Sequence, residues 1–236
     1  MGFINRKQLS NSLRYIGVGV KRIPRVIKEL KRKGFHFFGL VIPIIYILGL
    51  HYTTFMTRGF AVKLLGSITL GYFIWEQLRL NVPAVSEFCV KMYGHMMREK
   101  EKDRMNGVFF YLLGSTICIY FFHPLIAVSS MLFLIIGDFT AALVGISYGR
   151  TKIGNKSLEG TMAMFLVCFV LSFAMFFNQS LGEHIAFWGS LVATLVELFN
   201  PSFVDDNLTI PIIGAIAMKY MTVRLGVELP VYSNSL

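Results

Sequence analysis

Met131-Leu-Phe-Leu-Ile-Ile-Gly137-Asp138-Phe-Thr-Ala141-Ala142-Leu-Val-Gly145-Ile-Ser-Tyr-Gly149-Arg150 decides the fold. An apolar run long enough to help cross a bilayer is interrupted by one carboxylate. A charge within such a run costs on the order of 3 kcal/mol on insertion scales, so Asp138 is expected to face the inside of a bundle. Gly137, Ala141, Gly145 and Gly149 recur every four residues, a stripe that lets a second helix approach closely. The rest of the chain reads the same way. Of its 236 residues 55% are hydrophobic and only 15% charged, with 22 Phe. Soluble domains average about 25% charged residues, which excludes an ordinary soluble enzyme and a disordered chain alike.

The expected fold is all-α and polytopic. Seven spans of helix are predicted, at about 35–57, 62–80, 106–122, 125–148, 160–178, 184–199 and 208–222. They are expected to be helices because a chain in lipid must satisfy its own backbone hydrogen bonds. No alternation of a β-barrel kind is present. Cys89, Cys118 and Cys168 are scattered and form neither a zinc pattern nor a disulfide framework.

Residues 1–34 read as a basic arm without a signal peptide. They hold ten Lys/Arg and one acid, Glu29. Ile23, Val26, Ile27 and Leu30 repeat at helical spacing after Pro24, which predicts an amphipathic helix lying on an anionic membrane surface. A nucleic-acid partner is not expected, because the arm runs straight into a span. Residues 35–222 form a single helical catalytic domain and 223–236 a short tail. Loop charges orient the whole. With the N-terminus inside, segments 81–105 and 149–159 add five and three bases to the ten of the arm. The expected location is an integral membrane one with a cytoplasmic N-terminus, in a prokaryotic plasma membrane or the endoplasmic reticulum.

Three clusters carry the chemistry. Asp138 is the first. The second is Gly149-Arg150-Thr-Lys152-Ile-Gly154-Asn155-Lys156-Ser157-Leu-Glu159-Gly160, a basic loop opening a helix. Free N–H groups and the helix dipole at Lys156 and Ser157 suit a phosphate, with Arg150 and Lys152 adding charge. It is not a Walker A loop. The third is Glu197 with Asn200, Asp205, Asp206 and Asn207. Adjacent carboxylates can hold Mg²⁺ or another divalent cation, which takes one or two protein carboxylates and completes its shell with phosphate and water. Helix capping competes, with Asp206 as the expected cap and Asp205 as the expected ligand. Acids for a metal and bases for phosphates on one face are the parts of phosphoryl or nucleotidyl transfer.

Six motifs in order from about residue 30 to 215 then carry a resemblance. They are Arg32-Lys33-x-x-His36, Glu76-x-x-Arg79, Arg98-Glu-Lys-Glu101 with Gly107, Gly137-Asp138-x-x-Ala141-Ala142 through Gly149-Arg150, Lys156-Ser157-x-Glu159-Gly160, and Glu197 with Asp205-Asp206-Asn207-Leu-x-Ile-Pro211. The chain resembles the CTP-dependent polyprenol, phytol and diacylglycerol kinase family, which is related to dolichol kinase and to phosphatidate cytidylyltransferase. The resemblance implies transfer of the γ-phosphate of CTP to a membrane lipid alcohol, with a divalent cation, at the cytoplasmic face. It implies Asp138, Asp205 and Asp206 as metal residues and Arg150, Lys156 and Ser157 as phosphate residues. Glu197 or Glu159 would orient the acceptor hydroxyl, and Asp138, Glu197 and Glu159 form the catalytic set. Arg32, Lys33, His36, Glu76, Arg79 and Arg98 would line the lipid-headgroup entrance. The alternatives are a cytidylyltransferase making CDP-diacylglycerol and, from another class, a small transporter or scaffold. The acceptor and the oligomeric state stay open.

Overall fold

The computed structural model describes residues 6–94, 101–200 and 204–232, with backbone alone for 6, 7, 31, 32, 35, 36 and 93. The described chain is helical apart from one two-stranded hairpin. Its helices are α1 (Arg6–Tyr15), α2 (Ile23–Gly34), α3 (Val41–Tyr52), α4 (Arg58–Asn81), α5 (Pro83–Tyr93), α6 (Gly107–Phe121), α7 (Pro124–Leu132), α8 (Phe139–Tyr148), α9 (Leu158–Phe176), α10 (Gly182–Phe199) and α11 (Asp206–Arg224). A 3-10 segment, Phe35–Leu40, joins α2 to α3. A π-helical segment, Phe133–Asp138, joins α7 to α8.

The two halves and the π turn make one helix, Pro124–Tyr148, which runs through the middle. Pro124 opens it and His123 caps it, the ring Nδ1 accepting from the Leu125 N–H at 3.3 Å. Its apolar side chains fill the core: Ile126, Met131, Phe133, Leu134 and Ile135 are fully buried. α3, α6, α9 and α11 pack around α7, α9 also packs on α8, and α10 lies against α9 and α11. α4 packs on α6 and α5 on α4. Each of the seven apolar stretches read from the sequence corresponds to a helix with ends within a few residues. By length and composition, two of them can cross a bilayer: Pro124–Tyr148 with 25 residues and α9 with 19. Phe37–Tyr52 and Gly107–Phe121 are apolar but shorter, and α4 carries Arg58, Lys63, Glu76 and Arg79. The count of seven spans thus goes beyond what these helices show.

The outer surface is apolar. On α9, Met162, Leu166 and Val170 follow one another at four-residue spacing, each more than half exposed. On α3, Ile44, Ile45 and Leu48 stand out in the same way. The small-residue stripe of α8 faces inward, as a seam within the chain. A Cβ on Gly160 would stand 2.5 Å from the Ala141 carbonyl oxygen and 3.1 Å from Gly145 Cα. Backbone cannot yield as a side chain can, so Gly160→Ala is expected to force α8 and α9 apart. Overpacking of this kind costs about 1–3 kcal/mol. Thermal unfolding in detergent measures it, and an unchanged midpoint would contradict the seam.

Two segments at the ends of the described chain pack against it. The apolar edge of α2 is covered by protein. Ile23, Val26 and Ile27 are buried with Leu13 and Val18 against Leu143 and Ile146 of α8. An amphipathic stripe specifies an apolar partner without saying whether lipid or another helix supplies it. The stretch after α11 is packed as well. Val227, Leu229 and Tyr232 pack against the main core, and the Pro230 carbonyl lies 2.9 Å from His123 Nε2.

Candidate active site

Docking α2 on α8 turns its other face towards the small residues of α8. Arg22, Arg25, Glu29 and Lys33, spaced three, four and four apart, share that face. Together with Ala141, Ala142 and Gly145 they line a cavity of about 440 Å³. It opens at one end of the bundle, where α8 and α10 finish and α9 and α11 begin. Asp138 lies deep in it. Ten residues separate it from the end of α8, about 15 Å of helix.

Asp138 is 4% exposed and paired with Lys33, itself 3% exposed. Lys33 Nζ donates to Asp138 Oδ2 at 2.6 Å and to the Asp138 backbone oxygen at 2.8 Å. The pair joins elements 105 residues apart in sequence. Asp138 closes the π segment, a local under-winding that recurs at functional positions in helices. At the other end of α2, Arg22 Nη1 donates to the Ser147 carbonyl at 2.9 Å and so satisfies the end of α8.

A hairpin forms the next wall. β1 (Lys152–Ile153) and β2 (Lys156–Ser157) pair antiparallel, Lys152 opposite Ser157 and Ile153 opposite Lys156. The turn needs glycine at 154, where φ is +57°. Lys152, Asn155, Lys156 and Ser157 all reach the cavity. Glu159 holds the base of the hairpin: its Oε1 accepts from the N–H groups of Arg150 at 2.9 Å and Thr151 at 3.0 Å. Ser157 caps α9, its Oγ accepting from the Gly160 N–H at 3.2 Å.

α10 and α11 complete the enclosure with Glu197 and Asp206. Glu197 is 3% exposed and accepts from Lys156 Nζ. Asp205, not Asp206, caps α11. Its Oδ1 accepts from the Asn207 N–H at 3.0 Å and from Asn207 Nδ2 at 2.6 Å. The helix starts one residue earlier than the sequence suggests, which leaves Asp206 to face the cavity.

The structure therefore brings Lys33, Asp138, Lys156, Ser157, Glu197 and Asp206 to one cavity. Arg150, Glu159 and Asp205 border it in sequence without lining it. Glu76 and Arg79 are elsewhere, outside the lining of this cavity. They form a closed pair, 0% and 1% exposed, with two contacts of 2.8 Å. Glu76 Oε2 also accepts from the Asn106 N–H at 2.9 Å, and Arg79 donates to the carbonyls of Lys102 and Arg104. The knot ties the chain before α6 onto α4. Arg98 and the side chains of Arg32 and His36 lie outside the described residues. The sequence reading missed Arg22, Arg25 and Glu29 and gave Lys152 only a supporting charge. Their common helical face was the available signal.

Five cationic side chains (Arg22, Arg25, Lys33, Lys152 and Lys156) and four carboxylates (Glu29, Asp138, Glu197 and Asp206) thus share one space. Among the described residues no group of three His, Cys, Asp or Glu could hold a metal ion. That donor set does not make a protein-only cage. It fits a hard cation that arrives with phosphate oxygens and takes one or two carboxylates from the protein.

Comparison with known proteins supplies the family. The chain is 34% identical over 174 residues to the CTP-dependent diacylglycerol kinase 1 of Schizosaccharomyces pombe, covering 66% of this chain and 79% of that one. It is 29% identical over 219 residues to the Saccharomyces cerevisiae protein of the same name, covering 81% and 72%. A probable chloroplastic phytol kinase 1 of Glycine max matches over 111 residues at 34% identity, covering 41% of this chain and 36% of the relative. No family model matches the chain, and no solved structure matches it significantly. With the first of these relatives matched over more than two thirds of its length, the chain belongs to the CTP-dependent lipid kinase family.

Proposed function

We propose that this protein is an integral membrane kinase that transfers the γ-phosphate of CTP to the hydroxyl of diacylglycerol or a related lipid alcohol at the cytoplasmic face. The observation that carries the reading is the pairing inside the cavity. Two buried carboxylates, Asp138 and Glu197, each hold a lysine beside a cationic hairpin. The family supports CTP as donor.

The triphosphate is bound by Lys152 and Lys156 beside the N-terminus of α9, where the helix dipole favours an anion. Lys33 and Lys156 exchange a carboxylate partner for phosphate oxygen as the nucleotide enters. Charge-assisted bonds of this type are the strong ones, so the exchange need not weaken either lysine's environment. Asp138 and Asp206 are the residues for a divalent cation. When bound, such a cation offsets charge on the β- and γ-phosphates. Glu197 is the acceptor-side carboxylate. Glu159 is less suited to that task, because its Oε1 already takes two hairpin amides. The lipid hydroxyl oxygen forms a bond to the γ-phosphorus, the bond to the β,γ-bridging oxygen breaks, CDP leaves, and Glu197 takes the hydroxyl proton. Positioning and charge neutralisation supply most of the acceleration in such transfers.

Residence in the bilayer is supported by the outward rows on α3 and α9 and by the two long apolar helices. A seven-span arrangement with the N-terminus inside agrees with the distribution of Lys and Arg. The test uses purified protein in detergent–lipid micelles with Mg²⁺, mixed lipid alcohols and phosphatidate. CTP carries label on the γ-phosphate in one reaction and on the α-phosphate in another. Label reaching lipid only from the γ position is the expected result. Label from the α position alone would replace the kinase by a cytidylyltransferase.

A further inference from the structure

The cavity contains more charge than the phosphates and the acceptor require, and the surplus is on α2. Lys33 and Lys156 hold carboxylates, and Arg22 holds the Ser147 carbonyl. Lys152 and Lys156 belong to the hairpin beside the α9 N-terminus, the natural seat of the triphosphate. The Arg25 guanidinium has no hydrogen bond or ion pair among the described residues. It lines the cavity together with Glu29, one helical turn further along the same face.

We propose that Arg25 and Glu29 of α2 read the pyrimidine edge of the nucleotide and set its preference for cytosine over uracil. This inference rests on the reading of CTP as phosphoryl donor. Cytosine offers an exocyclic amino donor at position 4 and acceptors at N3 and O2. An ionised carboxylate only accepts and a guanidinium only donates, so a Glu beside an Arg matches that edge. Uracil reverses the first two groups: it has an acceptor at position 4 and a donor at N3. Glu29 then faces an oxygen and Arg25 faces an N–H. A site that leaves polar groups unpaired against the wrong ligand discriminates strongly. Charge complementarity to a triphosphate alone cannot make this choice, because CTP and UTP carry the same phosphates.

The experiment compares kcat/KM for CTP and for UTP in γ-phosphate transfer to a lipid alcohol in mixed micelles, for the wild type, Glu29→Gln, Glu29→Asp and Arg25→Met. Glutamine can donate to the uracil oxygen, so E29Q is expected to lower the CTP/UTP ratio at least tenfold. E29D keeps an acceptor and is expected to retain the preference at reduced rate. R25M is expected to raise KM for CTP. A purely structural role for Glu29 would lower both substrates in proportion. An unchanged ratio in E29Q, or a wild type indifferent between CTP and UTP, overturns the inference while leaving the kinase standing. A wild type that moves no γ-phosphate from CTP overturns the kinase reading itself. Should E29Q fail to accumulate, loss of the preference in E29D overturns the proposal and its retention supports it.

Discussion

Asparagine in place of Asp138 is expected to reduce γ-phosphate transfer by roughly 100-fold or more, the scale seen when a single group that stabilises a transition state electrostatically is removed. The side chain keeps its shape, so packing against the α2 face survives. What changes is charge. The Lys33 ammonium, 3% exposed, would retain the Asp138 backbone oxygen but lose the carboxylate at 2.6 Å. Breaking a buried pair from one side costs about 3–5 kcal/mol, because the remaining charge has no compensation. Stability and catalysis would therefore fall together, and the single variant cannot separate them. The double variant Lys33→Met, Asp138→Leu can. Removing both charges of this pair at once leaves neither ion without its partner and is expected to recover most of the lost unfolding temperature. Activity should stay absent. Thermal unfolding in detergent and transfer from γ-labelled CTP read the two effects. Full activity in Asp138→Ala would remove Asp138 from the chemistry.

Glu76→Ala is expected to give the opposite signature. Arg79 is 1% exposed, and its guanidinium pairs with both carboxylate oxygens of Glu76. The backbone carbonyls of Lys102 and Arg104 remain as partners but carry no charge. The same rule gives a penalty of about 3–5 kcal/mol. The unfolding midpoint should drop on the order of 10 °C. Per folded molecule, KM for CTP should change less than twofold, because the pair does not line the cavity. A headgroup role would instead raise KM for the lipid acceptor in a protein of unaltered stability, and measuring both constants decides between the two.

The contrast between these pairs shows what the sequence made legible. Both were visible as charged residues in apolar surroundings. Glu76 and Arg79 are three residues apart, near enough to satisfy each other on one helix. Asp138 has no such neighbour, and its partner is 105 residues away. Its inward orientation could be read from the cost of lipid exposure; the identity of the lysine could not. The helix at Pro24, the Ser157 cap and the close α8–α9 seam followed from local chemistry. The hairpin did not, since two residues per strand give no periodicity to read. Asp205 rather than Asp206 caps α11, because a cap depends on where a helix starts, and adjacent Asx residues leave that ambiguous by one position. α2 was recognised by its apolar edge and assigned to lipid. The stripe formed by Arg22, Arg25, Glu29 and Lys33 carried the better clue.

The cavity draws its walls from residue 22 at one extreme and residue 206 at the other. Chains are made from the N-terminus at about 5–20 residues per second. The Lys33 ammonium thus exists well before Asp138 has been synthesised, and both precede Glu197 and Asp206. At that pace the 105 residues from Lys33 to Asp138 take roughly 5–21 seconds, and the 41 from Lys156 to Glu197 roughly 2–8 seconds. A nascent chain short of Glu197 and Asp206 has the cationic walls of the cavity without the carboxylates that complete its lining. The enclosure is whole only once the start of α11 has been made.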